Sequence, residues 1–400
     1  MKPSDFPRDL RFRTPGPAIV EDGVVHLRRH RDIEQVLLDG NCEQFSQDAS
    51  FWAKEGERDL TTYFFWATAR RRADGSPGRH DPLRAIVEPY FRLRAVKALE
   101  PMIRGHAHDL IRAIVYSGRD EFDLAHEFAY PLALRTIMTL VGIPLERREW
   151  VHKHIWYIGH VQNFGELVLD PPEVREYLWD LIHTRSAHPE NALLDVLINS
   201  WNAGELTDIE LLGYIWGLLV AGYHNTGTNI TNTFCLLDEF GLLDEARAHL
   251  DNEPWLRRVG EEVLRFATPF PCGWRYAVTD VTLDDGVTIP AGHPVQLWFS
   301  AANRDDAVNS DNRDAPSPDV FDITRRPNRH FTLGLGVHRC LGAELARLEA
   351  RVALQTLLTA MPELRMARDM PFARHAAIDD GVDQVTFRFD RSAATRLLTT

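Results

Sequence analysis

Helical spacing dominates the hydrophobic pattern of this chain. From Leu345 to Leu358 the text AELARLEARVALQTLL returns apolar residues every three or four positions, which gathers them on one helix face. Residues 207 to 240 predict a longer helix, and its run LLGYIWGLLVAG is apolar on nearly every side, as expected of a helix buried through the centre of the molecule. Thr207 is its expected N-cap, and Glu210, three residues on, can complete a capping box. The region 101 to 200 is helical in the same manner, including PMIRGHAHDLIRAIV and DLAHEFAYPLALRTIMTLVG, which ends before Pro144. Period-two alternation is local. PAIVEDGVVHL, residues 17 to 27, reads as two short strands around an Asp22-Gly23 turn, followed by a helix containing Ile33 to Leu38. FPCGWRYAVTDVTLDDGVTIPAGHPVQLW reads as strands turned at Asp285-Gly286 and at Pro290 to Gly292, and GVDQVTFRFD as a final strand pair.

Composition narrows the class. A chain of 400 residues that is 44% hydrophobic has ample material for a large core, and its length alone allows two or three domains. The formal net charge of -13 speaks against nucleic acid as a partner, because binding phosphates takes a concentrated basic face. Short basic runs such as Arg70 to Arg72 read as solvated surface. The longest apolar run, Gly213 to Gly222, is too short to span a bilayer, and Pro, Asp and Arg punctuate the first thirty residues. A soluble, cytoplasmic protein with no membrane contact is expected. Cys42, Cys235, Cys272 and Cys340 form no CxxC pair, so neither a zinc site nor a disulfide framework is indicated.

The candidate chemistry centres on NRHFTLGLGVHRCLGAEL, residues 328 to 345, where Gly334, Gly336 and Gly342 crowd around Cys340. Glycines suit a backbone that turns tightly and lies against a flat ligand. A thiolate at the start of the following helix receives backbone N–H groups and the positive dipole end, which favour its ionised form. A cysteine ligating iron needs this setting; the bland alternative is a buried structural thiol. Upstream, His80 and Arg84 in GRHDPLRAIVEPYF share a helix face, and EEVLR brings Glu262 and Arg265 within one turn. Histidines 152 and 154 fall on different helix faces, so they read as solvent-facing or as a channel rim rather than as metal ligands, with His160 nearby.

The Cys340 loop resembles the haem-ligating loop of the cytochrome P450 family, whose usual form is FGxGxHxCxG. Here it reads LGLGVHRCLG, in register except that Leu333 stands where the family has phenylalanine. His80 and Arg84 match the family's HxxxR pair, and Glu262 and Arg265 match its ExxR. Arg325 in FDITRRP matches the arginine that completes a Glu/Arg/Arg cluster. The resemblance runs from about residue 17 to the end. It implies one domain over residues 1–400 of the mainly α P450 fold: a large helical lobe, a small β-rich lobe, and haem b between the Cys loop and the long central helix. It further implies that Cys340 ligates the iron, that His80, Arg84, Arg275, His330 and His338 contact the cofactor, and that a ferredoxin and ferredoxin reductase supply electrons. The pocket residues it implies are Phe64, Phe65, Trp66, Tyr223, Phe270 and Trp274. The rings from Tyr63 to Trp66 fit either an aromatic substrate or a loop anchored to the core.

The family also places an acid and an alcohol over the iron. This chain has His224 and Asn225 there, followed by Thr226. His224 either shuttles protons, with Asn225 or Thr226 hydrogen-bonding oxygen, or points into the helix bundle while water or substrate takes over. Three functions are consistent with that departure: a hydroxylating monooxygenase of a small, aromatic or natural-product substrate, an enzyme of atypical outcome such as oxidative coupling, ring closure or peroxide use, and a non-catalytic haem sensor.

Overall fold

The computed structural model describes residues 14–40, 42–48, 60, 68–72, 75–155, 172–284, 286–309, 316–370, 372–374 and 381–399. Its main helices are α1 (His30–Leu37), α2 (His80–Phe91), α3 (Glu100–Tyr116), α4 (Tyr130–Val141), α5 (Arg148–Ile155), α6 (Pro172–Ala187), α7 (Leu193–Asn202), α8 (Asp208–Glu239), α9 (Glu253–Phe266) and α10 (Ala343–Ala360). The expected long helix is α8. Its capping box forms as the spacing predicts, with the Thr207 N–H donating to Glu210 Oε2 at 2.9 Å and the Glu210 N–H to Thr207 Oγ1 at 3.4 Å. Helix α8 packs along α4 and α10, and Leu211, Ile215, Trp216 and Phe234 are buried in that contact layer.

The strands gather into separate small sheets. β1 (Ile19–Glu21), β2 (Val24–Leu27), β3 (Phe45–Ser46), β5 (Cys272–Ala277) and β6 (Pro294–Trp298) make one sheet in the order β1-β2-β6-β5-β3, with β2 and β6 parallel and the other pairs antiparallel. β4 (Glu121–Asp123) and the tail strand Val382–Arg388 belong to a second sheet packed on the helices. The predicted turn of the tail strand pair lies outside the described residues.

Two hydrophobic clusters result, one through the helices and one around the first sheet. The Cys340 loop joins them: Phe331 and Leu335 pack into the sheet cluster, while Leu341 and Leu345 pack into the helical one. Contacts on both sides therefore fix the loop at the seam of the two lobes.

Helix α9 supplies the polar anchor of that seam. Glu262 and Arg265, both fully buried, form a two-pronged pair with two N–H···O bonds of 2.8 Å. Arg325 adds its Nε at 3.5 Å and donates to the carbonyls of Asn309, Pro316, Ser317 and Val320. Arg265 meanwhile bonds the carbonyls of Asn303 and Pro318, and the Asp322 N–H and Asn328 amide close on Glu262. Almost every donor and acceptor in the cluster is used, the condition under which buried charges are tolerated. The neighbouring Glu261 bonds Arg347 of α10 at 2.6 Å and His330 of the loop at 3.0 Å. Burial pushes the Glu261 carboxyl up, but hydrogen bonds from His330 and Arg347 outweigh it and hold the group down at about 2.

Two outcomes follow from these anchors. Arg265→Leu strands a buried carboxylate and should cost about 3–5 kcal/mol; denaturant unfolding measures it, and a loss within the scatter of surface substitutions would show the cluster to be dispensable. The folded pKa of Glu261 lies below the ordinary glutamate value of about 4.3, so its contribution is present above that value and fades as pH falls toward 2. Unfolding free energy followed across this acid window should fall less steeply in Glu261→Gln than in the wild type.

Candidate active site

A cavity of about 330 Å³ lies at the seam, between α2, α8, α10 and the Cys340 loop. The loop's course demands glycine at two points. Gly334 and Gly336 have φ of +66° and +70°, and a side chain on Gly336 would collide with the Leu37 carbonyl at the end of α1. The Gly334 N–H bonds the Phe331 carbonyl at 2.7 Å and the Cys340 N–H bonds that of Leu333 at 2.8 Å, so the turn presents the cysteine to the cavity. Cys42, Cys235 and Cys272 are buried, whereas Cys340 opens onto the cavity. Removal from bulk solvent pushes its thiol up, opposed by the Gly342 N–H and by Arg84, Arg347 and Arg339. The helix start therefore lowers the cost of a thiolate without ionising the sulfur by itself; a bound metal cation would complete the deprotonation.

Arg84 and Arg339 bring positive charge to the cavity lining, beside the rings of His80 and His338. The His80 and His338 rings meet edge to face at 4.5 Å, and His338 Nε2 lies 3.7 Å from Cys42 Sγ. Burial lowers the His338 pKa well below the ordinary value, with Arg275, His80, Arg84 and Arg70 adding to the fall. Arg84 donates to the Arg339 carbonyl at 3.0 Å, tying α2 to the loop. Arg275 stands behind this wall, bonded to its neighbour's carbonyl, with burial pulling it down to about 10. His330 is displaced from the role expected of it, because its Nε2 is engaged by Glu261 on the far side of the loop and it does not line the cavity.

Helix phase decides which residues of α8 face inward. Tyr214, Leu218, Ala221, Gly222, Asn225, Thr226 and Asn229 line the cavity at spacings of three and four. At about 100° per residue, Tyr223 and His224 project well away from that stripe. The structure accordingly moves both off the wall. The His224 ring lies 5.4 Å from that of Tyr130 in the helix bundle, and the Tyr223 hydroxyl is hydrogen-bonded at 2.6 Å to His152 Nδ1. His152 is thereby half-buried and tied to α8, and burial lowers its pKa. His154 turns onto Trp150, its Nδ1–H donating to the Trp150 carbonyl at 2.7 Å.

Of the expected pocket aromatics, Phe270 lines the cavity. Trp274, held opposite Gln296 within β5, does not, and Phe64, Phe65 and Trp66 lie outside the described residues. Glu349 and Asn229 were not anticipated. A signal existed for each: Glu349 interrupts the apolar stripe Leu345, Leu348, Val352, and Asn229 lies one turn beyond Thr226.

These residues fit an iron porphyrin. One sulfur faces the space, Arg84 and Arg339 offer cations to acidic side groups, and Leu218, Leu333 and Ala346 offer apolar walls. Gly342 has open space where a Cβ would stand.

The comparisons with known proteins agree. Residues 246–361 match the family model "Cytochrome P450". The chain is 36% identical to the mycinamicin IV hydroxylase/epoxidase of Micromonospora griseorubida over 300 residues, 72% of each chain. Among solved structures it resembles the post-tailoring hydroxylase HmtN of himastatin biosynthesis, with a TM-score of 0.79 and 27% identity over 98% of this chain and 100% of that one. It also resembles CxnD, a P450 for C–S bond formation in chuangxinmycin biosynthesis, with a TM-score of 0.76 and 26% identity over 90% and 87% of the two chains. With the cysteine loop, the buried Glu/Arg/Arg cluster and the long central helix in their places, the chain belongs to the cytochrome P450 family and is a haem-iron oxidoreductase of the monooxygenase type.

Proposed function

We propose that this enzyme oxidises a small natural-product molecule at a haem b whose iron is held by Cys340. The observation that carries this is the single thiol opening onto a cavity also lined by His80, Arg84 and His338. When bound, the haem supplies reductive activation of oxygen. Cys340 would hold the iron through its sulfur, and His80, Arg84 and His338 would donate to the two propionates, with Arg275 adding positive charge. Leu333, in place of a ring, leaves the sulfur's side of the pocket aliphatic, a contact that tunes such sites. Phe270, Leu218 and Val87 supply apolar contact for substrate, and Asn225 and Thr226 offer hydrogen bonds from the cavity face of α8. The names of the mycinamicin and himastatin hydroxylases support a natural-product substrate.

A second outcome, bond formation instead of oxygen insertion, is favoured by one specific observation: no acid stands beside Asn225 on the cavity face of α8. The C–S bond-forming relative shows this outcome on a similar fold. Labelled oxygen in the product separates the two.

Electrons come from a ferredoxin and its reductase, in a cytoplasmic setting. Among the described residues no helix is long and apolar enough to cross a membrane. The docking face near Cys340 carries Arg339 and Arg92, both largely exposed, which would meet an acidic partner. Arg347 nearby is committed to Glu261 and Glu344.

The reduced carbon monoxide adduct of the loaded protein should absorb at the long wavelength of thiolate ligation, and Cys340→His should lose that band while keeping haem. A wild-type spectrum like that of a histidine-ligated haem would overturn the assignment. His224→Phe should leave coupling and turnover nearly intact, far from the roughly 10²-fold loss expected for an acid/base group. Peroxide released per NADPH consumed measures this, and a large rise would return His224 to the reaction.

A further inference from the structure

Behind the cavity wall, four aromatic side chains close on one another. Tyr223 follows the cavity-lining Gly222 on α8 and precedes Asn225 by two positions, so it stands within a turn of the wall while turned away from it. Its hydroxyl lies 2.6 Å from Nδ1 of His152 on α5. Its ring centroid is 5.6 Å from that of Tyr130 on α4, and the His126 ring is 6.2 Å from Tyr130 on the other side. Tyr130 and Tyr223 are each 1% exposed, His152 is half-buried and His126 is exposed. The group therefore runs from just behind the cavity to the surface by ring contact.

The backbone is shaped to seat it. Residues Ala125–Ala129 form a π-helical turn immediately before Tyr130, and such rare turns occur frequently at functional sites. Gly227 of α8 makes room for Tyr130, since a Cβ there would collide with its ring. The two tyrosines differ in what their hydroxyls meet. That of Tyr130 is 3.1 Å from the Thr228 hydroxyl, a group that takes up no proton, whereas that of Tyr223 meets an imidazole. Burial pushes the Tyr223 phenol up, and burial, with His126 nearby, pulls His152 down, so at neutral pH the phenol keeps its proton and the imidazole is a neutral base. The phenol is the stronger acid of the pair, so its O–H donates to Nδ1. A buried phenol that lost an electron alone would hold an unpaired charge in a medium that punishes it. Shifting the proton to His152 leaves a neutral tyrosyl radical and places the charge on a ring that solvent partly reaches.

We propose that Tyr223 and His152 form a redox site: Tyr223 gives one electron to a haem oxidised by peroxide while its hydroxyl proton passes to His152 Nδ1. A soluble thiol then refills the radical, its electron crossing the ring contacts of Tyr130 and His126, and the proton on His152 returns to the Tyr223 oxygen. Each thiol releases one electron and one proton. Over two such cycles one peroxide and two thiols become two waters and one disulfide. This assignment rests on the haem-thiolate function proposed above, and it adds a one-electron, peroxide-consuming activity toward thiols that operates when no substrate fills the cavity.

Freeze-quenched electron paramagnetic resonance of the substrate-free, haem-loaded protein mixed with hydrogen peroxide tests it. The wild type should show a radical whose lines narrow when the protein is made with ring-deuterated tyrosine. Tyr223→Phe should lose most of that signal while keeping the long-wavelength carbon monoxide band, and Tyr130→Phe should retain it. His152→Gln, which keeps a polar partner but no base, should cut the radical yield severalfold and remove the solvent deuterium effect on its formation. With free cysteine added, the wild type should consume peroxide, and Tyr223→Phe should lose that consumption and bleach its haem faster. Absence of a tyrosyl signal from a wild type with the carbon monoxide band intact, a signal that survives Tyr223→Phe, or a yield indifferent to His152→Gln would each overturn the inference. Should Tyr223→Phe fail to fold, His152→Gln decides. A wild type that lacks the carbon monoxide band sinks the haem-thiolate function itself, whereas an intact band without the radical sinks only the role given to Tyr223.

Discussion

A carboxylate buried between two guanidinium groups is the constraint on which the rest of this molecule depends. Glu262 is accommodated at zero exposure because Arg265 grips both of its oxygens and Arg325 approaches one of them. The surplus positive charge is spread over main-chain carbonyls from residues 303 to 320. Four of those carbonyls, at 316, 317, 318 and 320, belong to a turn outside any helix or strand. The arginines thus do for this segment what a ladder does for a strand, and they deliver the chain to residue 328 in one conformation. Removing any one charge leaves the others unsolvated, so the cluster behaves as a unit.

From that anchor the loop crosses between two separately packed clusters. Phe331 belongs to the sheet side and Leu345 to the helical side, and the cysteine lies on the stretch between them. A site built at such a junction gains a cavity without a void in either core. It gains polar chemistry too, because the helix ends and strand ends facing the junction contribute His80, Arg84, Phe270 and the inward stripe of α8.

Much of this was legible in the residues. The Thr207–Glu210 box, the Glu262–Arg265 turn, the Asp22-Gly23 hairpin and the helix after Cys340 are local devices, encoded within a few positions, and they occur where the spacing places them. What escaped was orientation. Matching Tyr223 and His224 to a motif says which turn of α8 they occupy but not which way they face, and the neighbours Asn225 and Thr226 take the inward side. His330 escaped for a similar reason: its partner Glu261 is distant in sequence and adjacent only after α9 and the loop have docked. Glu349 was hidden by its surroundings, since a single acid in an amphipathic helix ordinarily marks the solvent face and here stands on the buried one.

The bond from Arg84 to the carbonyl of Arg339 has a consequence for how the enzyme comes to be assembled. It joins α2 to the cysteine loop through protein alone, without any group between them, and the glycine turn is already closed upon Leu333 and Phe331. The loop and α2 are therefore ordered together, and neither can settle without the other. Assembly of this wall waits on a contact between chain segments 255 positions apart, so it comes late in the ordering of the chain.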